Sequence, residues 1–461
     1  MTTPRDGDAG GGRHAGLLLG VAVFAILSVL GHHTWGTMDA IQRFAVTRAL
    51  VERGSVVTPE FGPVKYAPLQ SILMIPPYVL GQLAGRLAPG ADPARVGYRA
   101  TAFLFTPVLV SFLCVLYRRI LRTEGVPARD VFFGIATLLF TTLLLPYSRL
   151  LFTEPLNALL ILLSASALAT LARSGRGGVS LASASALLFL NGAAFGPLAA
   201  AQVTAGVLLA GRRSGWRAAL RVLAIGAAAL LSALVAWLLY NRARYGDALR
   251  FGYEGEGFHT PLAVGLSGLL VSIGRGIVLY SAPTVLALFG FLALRKDGRW
   301  GALTPVLAFY AAAFGAYVVL YAGWDAFEGG WCWGPRYLLP FVPVLHLAIP
   351  LLVLRAPAWP AAGKVAFALP FVLGFAVNAA EDLGSWREFE ETTFLHGSID
   401  YRRSVFEPEY AALLHAVAPG RAAERLPLFL AISGAGVFLL RRLAQRENAE
   451  GSAAPAVSAS P

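Results

Sequence analysis

Charge is scarce in this chain. Only 14% of its 461 residues are Asp, Glu, Lys or Arg, against about 25% in an ordinary soluble domain. So few charges cannot coat the surface of a soluble protein of this length. That excludes a cytosolic enzyme, a disordered chain and a nucleic-acid-binding protein. Cysteine is nearly absent: Cys114 and Cys332 are too few for a disulfide framework, and both are expected as free thiols. Lysine is almost missing, with 3 against 35 arginines. The net charge of +12 therefore reflects arginine usage of the kind a GC-rich bacterial genome gives, not a polyanionic partner. What remains is apolar: 56% hydrophobic residues and a mean hydropathy of +0.63 describe a polytopic membrane protein.

A helix that crosses a bilayer needs about 20 apolar residues. Runs of that kind lie near 15–31, 98–117, 130–147, 153–172, 219–240, 274–294, 300–322, 337–354, 365–380 and 427–440. The first reads as an uncleaved helix because many more follow it. Residues 179–211 are too long for one crossing and are interrupted by Asn191, Gly192 and Pro197, so a hairpin is expected there. The prediction is an all-α membrane domain over 1–445, with about twelve transmembrane helices and both ends on one side. A disordered cytoplasmic tail is expected over 446–461, which is rich in Ala, Ser and Pro.

Orientation follows from charge beside the spans. With both termini cytoplasmic, the short turns Arg118–Arg129, Arg212–Arg221 and Arg295–Arg299 fall inside and carry the basic excess. The larger polar segments, 32–97, 241–273, 323–336 and 381–426, fall outside. Functional chemistry is therefore expected at the outer face. No internal repeat stands out, which disfavours the repeat-built transporter folds.

The first outer loop opens HHTWGTMDAIQRF. Ile41, Phe44, Ala45 and Ala49 follow an i, i+3, i+4, i+8 spacing, one face of an amphipathic helix lying on the membrane. Asp39 falls at its start. It reads either as a dipole and i,i+4 partner of Arg43 or as a general base facing the headgroup region. A second surface helix, YAPLQSILMIPPYVLGQLAG, is broken by Pro76 and Pro77, and its tyrosines 66 and 78 suit an interfacial depth. In YSRLLFTEP, Arg149 and Glu154 flank the outer junction of two spans. Each is either an anchor or part of a pair, or else a functional group at the mouth of an apolar helix.

Two later segments suit an anion. In SIGRGIVLYSAP the glycines around Arg275 let backbone approach a ligand closely, with Tyr253 and Tyr280 nearby. A bidentate hold on a lipid phosphate and ordinary headgroup binding are both open. The densest constellation is GWDAFEGGWCWGPRYLLP at 323–340. An aromatic belt accounts for part of Trp324, Trp331 and Trp333. It does not account for Gly329, Gly330 and Gly334, or for Arg336 at the top of a span after a Gly-Pro turn. Indole faces also stack well on sugars. The 381–426 loop, with Trp386, His396 and Asp400, is a candidate cap over an acceptor.

Taken in order, the outer-loop Asp with RF and ALVERGSV, then YAPLQSILMIPPYVLG, FTEPL, YNRARYGDALRFGY, SIGRGIVLYSAP and GGWCWGPRYLLP resemble a known set. They resemble the bacterial polyprenyl-phosphate-dependent glycosyltransferases of the GT-C membrane fold, over roughly residues 30 to 345. The resemblance implies sugar transfer on the outer face of the bacterial cytoplasmic membrane, from a polyprenyl-phosphate-linked donor to an envelope glycan, lipid or protein acceptor. It implies Asp39 as catalytic base and Glu154 as a second catalytic acid. It makes Arg275 and Arg336 phosphate-binding arginines; Arg43, Arg149, Tyr253, Tyr280, Trp331 and Trp333 complete the substrate-binding candidates. Two departures stand out: Ala40 replaces the second acid of the family's first-loop pair, and Ile273 stands where proline is common. A divalent metal is left open, with Asp39, Glu154, Asp325 and Glu328 as oxygen donors of the kind Mg²⁺ or Mn²⁺ accepts.

The chemistry needs little else. An acceptor hydroxyl has a pKa far above neutrality, so a carboxylate must take its proton; the leaving lipid phosphate is already a stable anion and needs electrostatic clamping. Gly-Arg-Gly is no dinucleotide or P-loop fingerprint, so no soluble nucleotide donor is implied. The rivals are a transporter or flippase for lipid-linked sugars and a non-catalytic assembly protein of the same fold.

Overall fold

The computed structural model describes residues 9–31, 37–295, 301–354, 358–383, 389, 391–395, 400–416 and 419–452. Among these no strand occurs, and a lone bridge between Thr58 and Gly62 closes a turn. The chain opens with α1 (Ala9–Leu30). The predicted first outer loop then folds into α2 (Met38–Arg53), α3 (Pro68–Leu73) and α4 (Ile75–Leu87). Next come α5 (Pro93–Thr123), α6 (Ala128–Thr141), the single turn α7 (Leu144–Tyr147) and α8 (Glu154–Ser174). The series continues with α9 (Gly178–Asn191), α10 (Gly196–Ser214), α11 (Trp216–Tyr245) and α12 (Leu262–Val271). After α13 (Ile277–Tyr280), α14 (Ala282–Arg295) and α15 (Leu303–Gly323), a broken stretch covers 336–353, and long helices span Ala361–Leu383 and Pro419–Ser452.

Seven described helices are long and apolar enough to cross a membrane: Pro93–Thr123, Glu154–Ser174, Ala193–Ser214, Trp216–Tyr245, Leu303–Gly323, Ala361–Leu383 and Arg425–Ala449. Shorter apolar helices cover His14–Leu30, Gly178–Asn191, Leu262–Val271 and Ala282–Phe291. The protein is thus an all-α membrane protein.

Several predicted runs are not single helices. The run at 274–294 breaks at Ser281, where the backbone leaves the helical region (φ −147°, ψ 54°). The run at 337–354 splits into a 3₁₀ turn, Arg336–Phe341, and two short helices, Val342–His346 and Ala348–Val353. Pro340, Pro343 and Pro350 each remove a backbone donor there, so a continuous ladder is impossible. α12 lies inside the predicted loop 241–273, its apolar run too short to read as a span. The final helix continues to Ser452, so residues 446–452 are helical and not a disordered tail; 453–461 lie outside the described residues.

Ion pairs mark one end of the bundle. Glu447 meets Arg118 at 2.8 Å and Arg122 at 2.7 Å, and Arg173 pairs with Glu124. The C-terminal ends of α5, α8 and the last helix therefore share that end, and Ser214 of the Arg212–Arg221 turn lies against Gly175 there. α8 runs away from it, so its first residue, Glu154, lies at the opposite end. There α4 is pressed onto α5: a Cβ on Gly81 would lie 2.6 Å from the Gly97 Cα, an approach only glycine permits. α2 packs on this platform through Ala40 and Phe44. Of its apolar face, Phe44, Ala45 and Ala49 are buried in protein, while Ile41 is 38% exposed and lines the cavity described below.

Candidate functional site

The Thr37 hydroxyl accepts from the Ala40 amide at 3.5 Å and starts α2, and Gly54 in the left-handed region (φ 62°) ends it. This fixes Asp39 in the first turn, where the helix dipole favours an anion. The Tyr66 hydroxyl donates to Asp39 Oδ1 at 2.6 Å, and Arg336 Nη1 donates to Oδ2 at 3.0 Å. Arg336 Nε stands 3.9 Å from Glu154 Oε1 at the start of α8. One guanidinium from the second half of the chain thus joins two carboxylates from the first. Arg43, one helical turn beyond Asp39, lays its guanidinium over the Tyr66 ring at 4.3 Å.

The electrostatics follow from that geometry. Burial works to raise the Asp39 pKa, but the Arg336 guanidinium, the Tyr66 hydroxyl and Arg43 outweigh it. The carboxyl is held below its ordinary range and is ionised at neutral pH. Burial and the Asp39 charge push Tyr66 the other way, so it stays a neutral donor. Three buried atoms here have no hydrogen-bond partner among the described residues: Arg43 Nη1, Glu154 Oε2 and Arg336 Nε. Buried polar atoms are normally satisfied, so each calls for an explanation, such as a ligand.

All of these groups line a cavity of about 1330 Å³. Its walls come from the N-termini of α2 and α8, the α9–α10 turn, the end of α15 and the loop leading to Arg336. Six sequence-predicted residues line it: Asp39, Arg43, Glu154, Tyr253, Trp331 and Arg336.

The other four lie behind the wall. Arg149 is buried and pairs with Glu381 and Asp382 on the helix Ala361–Leu383, and it donates to the Leu30 carbonyl at 3.1 Å. Its partner is not Glu154, and it does not reach the cavity. Arg275 is fully buried, and it donates to the carbonyls of Glu328 at 2.9 Å, Gly274 at 2.9 Å and Gly330 at 3.2 Å. It shapes the loop that carries Trp331 and Arg336. Tyr280 and Trp333 pack edge to face at 5.3 Å beneath that loop, and Tyr147 donates to the Trp333 carbonyl at 3.0 Å. Gly334 crosses this floor at φ 66°, where a Cβ would sit 2.7 Å from the Tyr280 ring. The Gly-Arg-Gly signal therefore marks the frame of the site, whereas the tryptophan-glycine segment divides: Trp324, Gly329, Gly330 and Trp331 line the cavity, and Trp333 and Gly334 lie behind it.

Breaking the Arg149 cluster takes away a buried cation that both acids share. Arg149→Ala should lower stability by about 3–5 kcal/mol, with little change in ligand affinity per folded molecule; thermal unfolding in detergent measures it.

Of the four acids considered for a metal, Asp39, Glu154 and Glu328 line the cavity and Asp325 does not. The Arg336 guanidinium stands between Asp39 and Glu154, the position a shared cation would need. Asp325 turns away, accepting from the Gly257 amide at 2.7 Å, the His259 amide at 3.0 Å and the His259 ring at 2.8 Å. No group of three His, Cys, Asp or Glu suited to a metal occurs among the described residues. Ala40, which stands where the resemblance implies a second acid, is 1% exposed and packed against Phe44, so a carboxylate there would face apolar side chains.

Several lining residues carried no functional reading in the sequence. The sequence suggests only an interfacial depth for Tyr66. Lys65 pairs with Glu256 at 2.5 Å and lies 4.8 Å over the Tyr253 ring. Asn157 and Asn191 also line the cavity, each 2% exposed. Their one visible signal was an amide isolated in an apolar run. Of the proposed cap, Phe394 and Tyr401 line the cavity, Asp400 accepts from the Arg402 amide at 2.9 Å, and Trp386 and His396 lie outside the described residues. No protein-family model and no curated protein matches the chain.

Proposed function

We propose that this cavity is the transfer site of a GT-C-like membrane glycosyltransferase, which moves a sugar from a polyprenyl-phosphate carrier to an acceptor hydroxyl or amine. The observation that carries the reading is the ionised Asp39 carboxylate beside two arginines with unsatisfied buried donors, in one cavity whose lining includes many aromatic rings. In the proposed step the acceptor oxygen or nitrogen forms a bond to the sugar's anomeric carbon while Asp39 takes its proton. The bond from that carbon to the phosphate oxygen breaks, and its electron pair leaves with the lipid phosphate. Arg43 and Arg336 stabilise the growing charge on the leaving group, the type of electrostatic contribution that dominates many enzymic rates. This clamp differs from the one read in the sequence. Arg43 replaces Arg275, whose donors are turned to backbone carbonyls.

The reading places the cavity on the outer face of the bacterial cytoplasmic membrane, with about twelve crossings once the shorter and broken apolar helices are counted. Cys114 and Cys332 are both buried, so added cysteines can be read against a silent background. A cysteine at Ser55 should react with a membrane-impermeant reagent in intact cells, and one at the exposed Ser214 only after the membrane is opened. Reversed labelling would turn the cavity inward and sink the placement.

A transporter of lipid-linked sugars remains the competing function, favoured by the broken helices at 336–353. Protein reconstituted with a labelled polyprenyl-phosphate sugar and membrane extract as acceptor source separates the two. Transfer of label off the carrier supports the enzyme. Movement of intact lipid across the bilayer supports the transporter, and neither supports an assembly role.

A further inference from the structure

The inner wall of the cavity carries a second cluster that the transfer chemistry does not use. Asn191 ends α9, and its Nδ2 donates to Thr153 Oγ1 at 2.8 Å and to Asn157 Oδ1 at 2.8 Å. Those two bonds fix the amide plane. The other end, Asn191 Oδ1, is buried and has no hydrogen-bond partner among the described residues. Glu154, next to Thr153 in the chain, presents the equally unsatisfied Oε2. Asn157 lies one helical turn further along α8, on the same face as Glu154. Asn191, Asn157 and Glu154 are 2%, 2% and 4% exposed, and all line the cavity. Tyr321 and Tyr337, stacked on each other at 4.5 Å with planes 9° apart, line the same cavity.

Resting on the transferase reading above, we infer that Asn191, Asn157 and Glu154 form the recognition subsite for the donor sugar, and that this sugar is a neutral hexose or pentose. The two waiting acceptors, Asn191 Oδ1 and Glu154 Oε2, call for two donors, which neighbouring ring hydroxyls supply. A carboxylate on the sugar is disfavoured, because it would meet Glu154. An ammonium is disfavoured too, because Arg336 already stands 3.9 Å from Glu154 and offsets its charge. Arg336 also connects the subsite to Asp39 at 3.0 Å, so a sugar held there lies beside the base. Aromatic side chains among the lining residues supply the apolar faces that suit the C–H surface of a pyranose.

The test compares two probes on full-length protein in nanodiscs: bare polyprenyl phosphate and polyprenyl-phosphate glucose. Wild-type protein should bind the glucose lipid about tenfold more tightly, the size expected of a few buried hydrogen bonds. Asn191→Leu should erase that advantage and leave bare polyprenyl phosphate binding unchanged, which also shows that the variant folds. Asn191→Ser, which keeps a small polar group, should fall between the two. If Asn191→Leu retains the preference for the glucose lipid, or if wild type prefers a glucosamine or glucuronate lipid, the subsite assignment is overturned while the transferase reading stands. If wild type binds neither probe, the transferase reading falls and takes this inference with it.

Discussion

Replacing Asp39 by Asn should slow sugar transfer about 10²–10⁴-fold at equal membrane abundance, the range expected for loss of a general base. The substitution keeps the shape and still accepts from Tyr66 and Arg336, which hold Asp39 at 2.6 and 3.0 Å. It removes only the capacity to take a proton. Glu154 stays 3.9 Å from Arg336, so the guanidinium keeps one acid beside it. A structural role for Asp39 predicts the opposite pattern: lower stability with near-normal turnover per folded molecule. Transfer within a few-fold of wild type would make Asp39 an anchor for Arg336 and shift the base to Glu154.

Arg336→Ala should have the second-largest effect, seen in both donor affinity and the pH profile. Without the guanidinium the leaving phosphate loses one of its two clamps, and a loss of about 10²–10³-fold in rate is expected from a missing charge-stabilising donor. The sign of the pH effect follows from the balance at Asp39. In the wild type Arg336 is the largest influence opposing burial, and the carboxyl is held below its ordinary value. Its contribution to stability is present above the ordinary carboxylate pKa and is lost as pH falls through the lowered one. Removing Arg336 leaves burial less opposed, so the pKa rises and the acid limb of the rate profile moves to higher pH. Arg336→Lys should restore the limb towards its wild-type position but only part of the affinity, because an ammonium lacks the planar fork. An unmoved acid limb in Arg336→Ala would dissociate Asp39 from proton transfer.

Much of this architecture is legible in composition and hydropathy because a membrane helix must be apolar along its whole length. Seven of the expected crossings appear, among the described residues, as helices long and apolar enough to span a membrane. The breaks at Ser281 and at Pro340, Pro343 and Pro350 are less visible, since hydropathy averages over backbone hydrogen bonding. The site divides along a similar line. Asp39, Glu154 and Arg336 stand out as ionisable residues at helix mouths, and the fold brings them together. Arg149 and Arg275 stand out equally in the sequence, yet the fold turns one to Glu381 and Asp382 and the other to three carbonyls. Nothing local distinguishes an arginine that faces a cavity from one that ties two segments together. That depends on contacts between distant parts of the chain. Asn157 and Asn191 show the converse: each is unremarkable alone, and only their mutual 2.8 Å contact reveals a shared wall.

The most direct test of the whole account is a cryo-EM structure of the protein with polyprenyl phosphate bound. The account predicts the phosphate inside the cavity, within hydrogen-bonding distance of Arg43 and Arg336, with Asp39 beside the open oxygen where the sugar would be attached. A lipid phosphate bound elsewhere on the bundle, with Arg43 and Arg336 still turned to protein alone, would contradict it.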